Sequence, residues 1–281
     1  MLHSLARFAA FPSTYAVMFS SLYTPLLLVL FALIVRGVAI EFRLRMDSEK
    51  WRKFWDGCLW VGSFLPALLL GVAFANIFRG LPIDGDGLFH GNLFTLLNPY
   101  GIVGGLLFVG LFLVHGSLWL AMKTEGDLSY RAGKAAGGIW WILLVVAVVF
   151  LGATWFATPL YNNYLSLPIL LVIPLITVGA LLATRYFIMQ RAWFKAWIAS
   201  SLTIVGATLF GVVGLYPNLF PSSIAPAYSM TAFNSASSPL TLKIMLVVAL
   251  VFVPIVIVYQ AWVYYVLRAK VTEEEASSSA Y

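Results

Sequence analysis

His115 is the residue of this sequence whose type and position could most directly support chemistry, because it lies inside a long apolar run. An imidazole in such a setting could ligate a metal or a haem iron. Haem iron usually takes a second axial ligand, and by elimination only Met122, Met189 or Met245 could serve. Packing, or a hydrogen bond to a neighbouring helix, is the simpler interpretation, and we favour it.

Carboxylates are missing from the interior of the apolar runs. Asp56 lies at the edge of one run, and Asp84 and Asp86 lie in a polar connection that also contains His90. Ion-coupled carriers normally hold the coupling ion with an acid or a base inside the membrane, so ion coupling by this chain alone is disfavoured. We expect His90 to be a solvated loop histidine and Asp56 to cap the start of a helix.

A charged stretch from Arg36 to Arg45 continues the first apolar run. Glu41 and Arg45 are spaced to pair on one face of a helix. The simplest interpretation is an anchor at the membrane interface with one surface ion pair. A site for a lipid headgroup or a partner protein is the alternative.

Known catalytic and binding patterns are absent from the sequence. It has no phosphate-binding glycine loop, no useful Ser-His-Asp order, no Cys and His spacing of a zinc or haem-attachment site, and no basic and aromatic surface for nucleic acid. We therefore predict no catalytic, cofactor-binding or metal-binding residue, no self-contained active site and no nucleic-acid partner.

The elements that position these residues are membrane-spanning helices. Apolar residues make up 62% of the sequence and charged residues 10%, and the mean hydropathy of +0.93 exceeds that of water-soluble domains. The apolar runs long enough to span a bilayer are 15–35, 57–78, 98–122, 138–157, 165–184, 197–216 and 241–267. We predict an all-α integral membrane bundle of about seven transmembrane helices over residues 1–270, and a disordered cytoplasmic tail at 271–281.

The distribution of Lys and Arg predicts the orientation of the bundle. Fourteen of the seventeen basic residues fall in alternate connections or in the tail, and only Arg7, Arg79 and Lys243 lie on the other side. The side richer in Lys and Arg is expected to be cytoplasmic, which places the C-terminus in the cytoplasm and Met1 outside. Either the first span inserts with its N-terminus outward, or a preceding helix is missing.

Prolines and glycines within the runs have two interpretations. The prolines are Pro25, Pro66, Pro168, Pro174 and Pro254, and the glycines cluster at Gly101, Gly104 and Gly105 and at Gly206, Gly211 and Gly214. Close helix packing with tolerated kinks is the first interpretation. The paired, broken helices of a transporter are the second.

Three stretches carry a resemblance to a known family. They are Phe11-Pro12-Ser13-Thr14-Tyr15-Ala16 running into Leu33-Ile34-Val35-Arg36-Gly37-Val38-Ala39-Ile40-Glu41-Phe42-Arg43; His115-Gly116-Ser117-Leu118-Trp119-Leu120 with Lys123-Thr124; and Pro221-Ser222-Ser223 through Asn234 and Ser238-Pro239-Leu240-Thr241-Leu242-Lys243 to Pro254 and Tyr259-Gln260-Ala261-Trp262-Val263-Tyr264. From about Phe8 to Val271, the sequence resembles subunit II of the cytochrome bd family of quinol oxidases.

The resemblance implies one half of a heterodimer in a bacterial-type inner membrane. The homologous subunit I is expected to carry haem b and haem d and to oxidise quinol, while the complex reduces dioxygen to water without pumping protons. Subunit II is expected to be haem-free, to pack against subunit I beside haem d, to contact lipids, and to be able to hold a structural quinone.

The sequence departs from the family at its start. Members usually begin with a further transmembrane helix bearing Gly-Phe-Asp-Leu, followed by Trp-Asp-Gly-Asn-Glu-Val-Trp, and neither stretch is present. Trp55-Asp56-Gly57 lies elsewhere in the order and inherits no role. We therefore expect an eight-helix subunit that lacks its first helix. The alternatives are a secondary transporter for a small uncharged solute and a truncated or mis-started product.

Overall fold

The computed structural model describes residues 10–270 of the chain. Its helices are α1 Pro12–Ser21, α2 Tyr23–Phe42, α3 Glu49–Arg79, α4 Leu93–Leu96, α5 Pro99–Lys123, α6 Gly126–Ala157, α7 Tyr161–Ser166, α8 Val172–Met189, α9 Trp193–Leu215 and α10 Pro239–Val266, with 3-10 turns at Pro168–Leu171 and Pro226–Tyr228. Strands β1 Asn218–Phe220 and β2 Met230–Thr231 pair in antiparallel fashion. The predicted tail at 271–281 lies outside the described residues.

Seven of the described helical segments are long and apolar enough to cross a membrane. They are α2, α3, α5, α6, α8 with its preceding 3-10 turn, α9 and α10. The prediction of an all-α membrane bundle with seven such helices is confirmed, so the chain is a multi-pass membrane protein.

The first apolar run is divided into two helices. The chain leaves helical geometry at Leu22, between α1 and α2. Pro25 explains the break, because a proline inside a helix would clash with the carbonyl of the residue four positions earlier, here Ser21. The apolar run therefore does not correspond to one continuous span from 15 to 35.

Several helices extend beyond the apolar runs into polar sequence. The helix around the second run, 57–78, begins at Glu49, and the helix around the fourth run, 138–157, begins at Gly126. These first turns contain charged side chains that suit the membrane interface, where an apolar pattern is not required. Hydropathy alone therefore places the starts of α3 and α6 too late.

Three prolines begin helices of the described chain, and two others lie inside helices. Pro12, Pro99 and Pro239 occupy the first position of α1, α5 and α10, where the missing N–H would have no partner within the helix. Pro66 and Pro254 lie inside α3 and α10, and both helices continue through them. Pro66 and Pro254 therefore do not break their helices, whereas Pro25 follows the break between α1 and α2, Pro168 begins a 3-10 turn, and Pro174 lies in the first turn of α8.

The helices pack in chain order around two sets of glycines. α2 lies against α3, α3 against α5, α5 against α6, and α8 against α9, which also contacts α5. Gly104 and Gly105 on α5 face α3. Gly206, Gly211 and Gly214 on α9 lie against Thr177, Phe78 and Leu160, respectively. The prediction that these clusters serve close helix packing is confirmed.

α10 lies at the margin of the described bundle. None of its residues is buried. It approaches the other helices near its C-terminal end, where the Tyr264 ring lies 5.6 Å from the ring of Trp119 and 6.4 Å from that of Trp197. Just after the end of α10, the carbonyl of Leu267 accepts a hydrogen bond from the Lys123 ammonium. Most of the surface of α10 is thus apolar and uncovered by the described chain.

Candidate functional site

His115 lies where α5 contacts α9. Its Nδ1 atom is hydrogen-bonded to Ser200 Oγ at 3.3 Å, and its ring centroid lies 5.3 Å from that of Trp197. Ser200 is buried, so the contact lies inside the helix interface. The favoured interpretation of His115, a hydrogen bond between helices, is confirmed.

Three aromatic side chains extend the surroundings of His115 toward α10. We call His115, Trp119, Trp197 and Tyr264 the aromatic cluster. The rings of Trp119 and Trp197 lie 5.4 Å apart, and the Lys123 ammonium lies 5.4 Å above the Trp119 ring. The indole N–H of Trp197 is buried and has no hydrogen-bond partner in residues 10–270. Because buried donors are usually paired, this N–H is the one point in the cluster where a hydrogen-bond acceptor would be favoured.

A second polar site, which sequence reasoning missed, fixes the opposite end of α3 and α5. Asn76 is buried in α3, and its amide donates to the carbonyls of Val72 at 2.8 Å and Leu96 at 2.7 Å. Its Oδ1 accepts a 2.7 Å hydrogen bond from Asn98, whose own Oδ1 caps α5 by accepting from the Gly101 N–H. The signal was available in the sequence, since Asn98 precedes Pro99 as a helix cap and Asn76 is an amide inside an apolar run.

At the same end, the connection after α3 is joined to the long connection after α9. Leu81 donates its N–H to Pro221 at 3.0 Å and accepts from the Ser223 N–H at 2.8 Å. Ser222 Oγ donates to the carbonyl of Ile83 at 2.5 Å. Leu81, Ile83 and Phe220 are buried beneath these contacts. The connections 80–92 and 216–238 therefore form one ordered layer over the helix ends, which we call the loop layer.

Asp84 and His90 form a hydrogen-bonded pair within the loop layer. His90 Nε2 lies 2.6 Å from Asp84 Oδ2, and the backbone N–H groups of Leu88 and Asp86 donate to Asp84 Oδ1 at 2.9 and 3.0 Å. These hydrogen bonds, the one from His90 above all, lower the pKa of Asp84 below its ordinary value. His90 is exposed, as expected for a loop histidine, but it also holds the turn closed through Asp84.

Two expectations for the charged residues around α2 and α3 are wrong. Asp56 does not cap a helix, because α3 begins at Glu49, and its carboxylate instead binds Arg43 with Nε–Oδ1 at 2.5 Å. The predicted pair of Glu41 and Arg45 is not among the ion pairs of the described residues, because α2 ends at Phe42 and the helical spacing is lost. The Arg43–Asp56 pair joins the end of α2 to the second turn of α3.

Among residues 10–270, no group of three or more His, Cys, Asp or Glu side chains could hold a metal ion. The described helices carry Asp and Glu only near their ends, at Glu41, Glu49, Asp56 and Asp127. The geometry therefore offers helix interfaces, an ordered loop layer and the aromatic cluster, without a group of acid, base and metal ligands in this part of the chain.

Comparisons with known proteins agree on one family. The family model described as cytochrome bd terminal oxidase subunit II matches residues 2–267. Cytochrome bd ubiquinol oxidase subunit 2 of Bacillus subtilis is 36% identical over 271 residues, which cover 96% of this chain and 79% of that protein. Cytochrome bd-I ubiquinol oxidase subunit 2 of Escherichia coli K12 is 32% identical over 314 residues, which cover 98% of this chain and 81% of that protein.

A solved structure shares the fold. The structure of bd oxidase from Geobacillus thermodenitrificans superposes with a TM-score of 0.68 over 92% of this chain and 77% of that one, at 15% sequence identity. The match of the family model over nearly the whole chain and the identity to the two curated relatives establish that this chain belongs to the cytochrome bd terminal oxidase subunit II family.

Proposed function

We propose that this chain is the haem-free subunit of a bd-type terminal oxidase and packs against a haem-bearing subunit I. The complex oxidises quinol and reduces dioxygen to water. The observation that carries the haem-free assignment concerns His115, the histidine within the described spans. Its imidazole is hydrogen-bonded to Ser200 and packs against the ring of Trp197. Haem b and haem d then belong to the partner subunit.

The placement of acidic residues supports the same division of roles between this chain and subunit I. Quinol oxidation and dioxygen reduction both move protons, and proton transfer inside a membrane normally uses ionisable side chains. The Asp and Glu residues of the described helices lie near the helix ends. In this proposal proton delivery to the reacting groups is assigned to subunit I, and this chain provides support and contact surface.

We place the structural quinone expected of the family at the aromatic cluster. Quinone rings stack on aromatic side chains, and the half-buried rings of Trp119 and Trp197 provide such a surface. Trp119 and Tyr264 provide the neighbouring ring surfaces. In this proposal the quinone stabilises the subunit, and quinol oxidation stays in subunit I.

The proposed location is a bacterial-type inner membrane, with the Lys- and Arg-rich connections and the C-terminus in the cytoplasm. The loop layer then faces the outside. The bacterial relatives and the distribution of basic residues support this orientation.

Purification of the tagged chain in a mild detergent tests the proposed function. We expect a larger membrane subunit to copurify and the complex to show haem b and haem d absorption, whereas the chain expressed alone should bind no haem. Haem bound to the chain alone would contradict the haem-free assignment. Absence of a partner, together with unchanged haem d absorption in membranes of a deletion strain, would contradict the proposed assembly.

The alternative of a secondary transporter has little support. Its basis is seven spans with intramembrane prolines, and two of these prolines, Pro66 and Pro254, lie in helices that continue through them. Solute uptake by the purified chain alone in proteoliposomes would support the transporter interpretation.

A further inference from the structure

A groove opens at the end of the bundle opposite the loop layer. Its walls are the junction between α5 and α6, the turn between α8 and α9, and the chain that follows α10. The side chains that give it chemical character are Glu125, Tyr130, Arg191, Trp193 and Lys270. None of its lining residues belongs to the aromatic cluster.

Arg191 is the cation of this groove without an acidic partner. Its guanidinium lies 5.7 Å from the centroid of the Tyr130 ring, and no hydrogen bond or ion pair of its side chain occurs within the described chain. An arginine held against an aromatic ring keeps its in-plane N–H donors available for an anion. Phosphate oxygens match that planar set of donors.

The backbone at Arg191 is unusual for an arginine. Its φ is 55°, at the position after α8 where the Arg191 N–H donates to Ile188 and the Ala192 N–H donates to Phe187. This is the helix-ending motif in which glycine is the common residue, because a side chain is disfavoured at positive φ. An arginine here keeps its charge at the groove despite the backbone preference for glycine.

Two further groups complete a site for a phosphate ester. Lys270 Nζ lies 3.5 Å from Glu125 Oε1, and both side chains are 54% exposed, so the pair is loose and open to a ligand. Two cations, Arg191 and Lys270, thus lie in the same groove as one carboxylate, Glu125, and a ligand that carries both a phosphate and a donor group would match them.

The surroundings indicate a membrane lipid. Trp193 and Tyr130 are aromatic residues of the kind that lie at the interface of a bilayer. α10, which ends beside the groove, exposes apolar side chains along its length. Acyl chains can lie on such a surface while the headgroup stays at the basic end of the bundle.

We propose that this groove binds the headgroup of a glycerophospholipid, with the phosphodiester at Arg191 and Lys270 and a terminal ammonium or hydroxyl donor at Glu125. Phosphatidylethanolamine and phosphatidylglycerol carry such donors. Phosphatidylcholine has the same phosphodiester but no N–H or O–H group in its headgroup. Inorganic phosphate has the charge but no acyl chains.

The test uses the purified, delipidated oxidase complex in mild detergent. Its melting temperature and its bound lipid, by native mass spectrometry, are measured with phosphatidylethanolamine, phosphatidylglycerol, phosphatidylcholine of matched acyl chains, or inorganic phosphate. We expect the first two lipids to stabilise the complex more than phosphatidylcholine, and inorganic phosphate to have no effect. Stabilisation by inorganic phosphate alone would assign the groove to a soluble phosphate and overturn the lipid proposal.

Arg191→Gly separates binding from folding. Glycine suits the positive φ, so this variant should melt no lower than the wild type without lipid, yet bind phosphatidylglycerol about tenfold more weakly. Glu125→Gln should reduce the preference over phosphatidylcholine. Lys53→Ala, at the same end of the bundle but on α3, should respond to lipid like the wild type. An unchanged lipid response in Arg191→Gly, or an equal response of the wild type to all three lipids, would overturn the proposal.

Discussion

Gly71 of α3 lies so close to Gly104 of α5 that a Cβ atom at residue 71 would stand 2.5 Å from the Gly104 carbonyl oxygen. The same Cβ would stand 2.7 Å from the Cα of Gly105. Both neighbours are backbone atoms, which cannot turn aside as a flexible side chain can. The contact between α3 and α5 therefore depends on the absence of a side chain at residue 71.

Gly71→Val should push α3 and α5 apart. Forcing extra carbon atoms into a packed interface typically costs about 1–3 kcal/mol, so we expect a lower melting temperature and a smaller yield of assembled complex. Gly57→Val is the matched control, because Gly57 lies on the same helix with no atom within 4 Å of its built Cβ position. Equal behaviour of the two variants would contradict the importance of the close contact.

Particular residues show what the sequence could and could not predict. The seven spans follow from long apolar runs, and His115 could be assigned to a helix contact because it had no evident second ligand. Pro25 predicts a helix break nearby, but the sequence alone does not place that break at Leu22. The sequence does not predict the role of Asp56, because hydropathy places the start of α3 at the apolar run, whereas the helix extends outward through polar residues to Glu49.

The partners of a polar residue inside a span were beyond the sequence. Asn76 reaches Leu96 and Asn98 only because the chain turns back after α3 and places α4 and α5 beside it. The groove residue Arg191 meets Tyr130 for the same reason, since the two belong to different helix junctions. Contacts between distant residues depend on the packing of whole helices, which local patterns do not specify.

The buried pair of Tyr100 and Thr154 should couple α5 and α6 measurably. Their hydroxyl oxygens lie 3.0 Å apart, and Thr154 donates to the Phe150 carbonyl, so the Tyr100 hydroxyl donates to Thr154. A cycle of Tyr100→Phe, Thr154→Val and the double variant should give a coupling energy of about 0.6 kcal/mol, and no more than about 1.7 kcal/mol. Reversible unfolding in detergent measures it, and a coupling energy of zero would show that the hydrogen bond contributes nothing.

His115→Phe should leave the haem content of the complex unchanged. The phenyl ring can keep the contact with Trp197, while the hydrogen bond to Ser200 is lost, so the stability should fall modestly, by about 0.5–1.5 kcal/mol. Reduced-minus-oxidised spectra, normalised to protein, measure haem b and haem d. Loss of either haem with the complex still assembled would identify His115 as a ligand and refute the haem-free assignment. Ser200→Ala, which removes the same hydrogen bond but keeps the imidazole, is the matched control.

The turn held by Asp84 should open in acid. Its hydrogen bonds from His90, Leu88 and Asp86 lower the pKa of Asp84 from the ordinary value of 3.8. A carboxyl group with a lowered pKa stabilises the folded turn at pH values above 3.8, and that stabilisation is lost as the pH falls through the lower pKa of the folded state. Protection of the Leu88 N–H against hydrogen exchange should therefore decline below about pH 4.

Asp84→Asn separates this effect from general acid unfolding. The variant should show weaker protection of Leu88 at neutral pH and no further decline that is specific to this turn in acid. The Asn76 region, on the same side of the bundle but held by amide hydrogen bonds, serves as an internal reference. A parallel loss of protection in the wild type and in Asp84→Asn would show that Asp84 does not control the turn.

The orientation of the bundle can be read from cysteine labelling, because Cys58 is the only cysteine in the sequence. In a Cys58→Ala background, Ser223→Cys places a thiol on the exposed surface of the loop layer, and Lys50→Cys places one at the exposed start of α3. If the Lys- and Arg-rich side is cytoplasmic, a membrane-impermeant maleimide should label residue 223 in spheroplasts and label residue 50 only after the membrane is opened. The two sites lie at opposite ends of the spans, so each is the control for the other. The reversed pattern would place the loop layer in the cytoplasm and the groove at Arg191 outside, and labelling of both sites in intact spheroplasts would show a mixed or incomplete insertion.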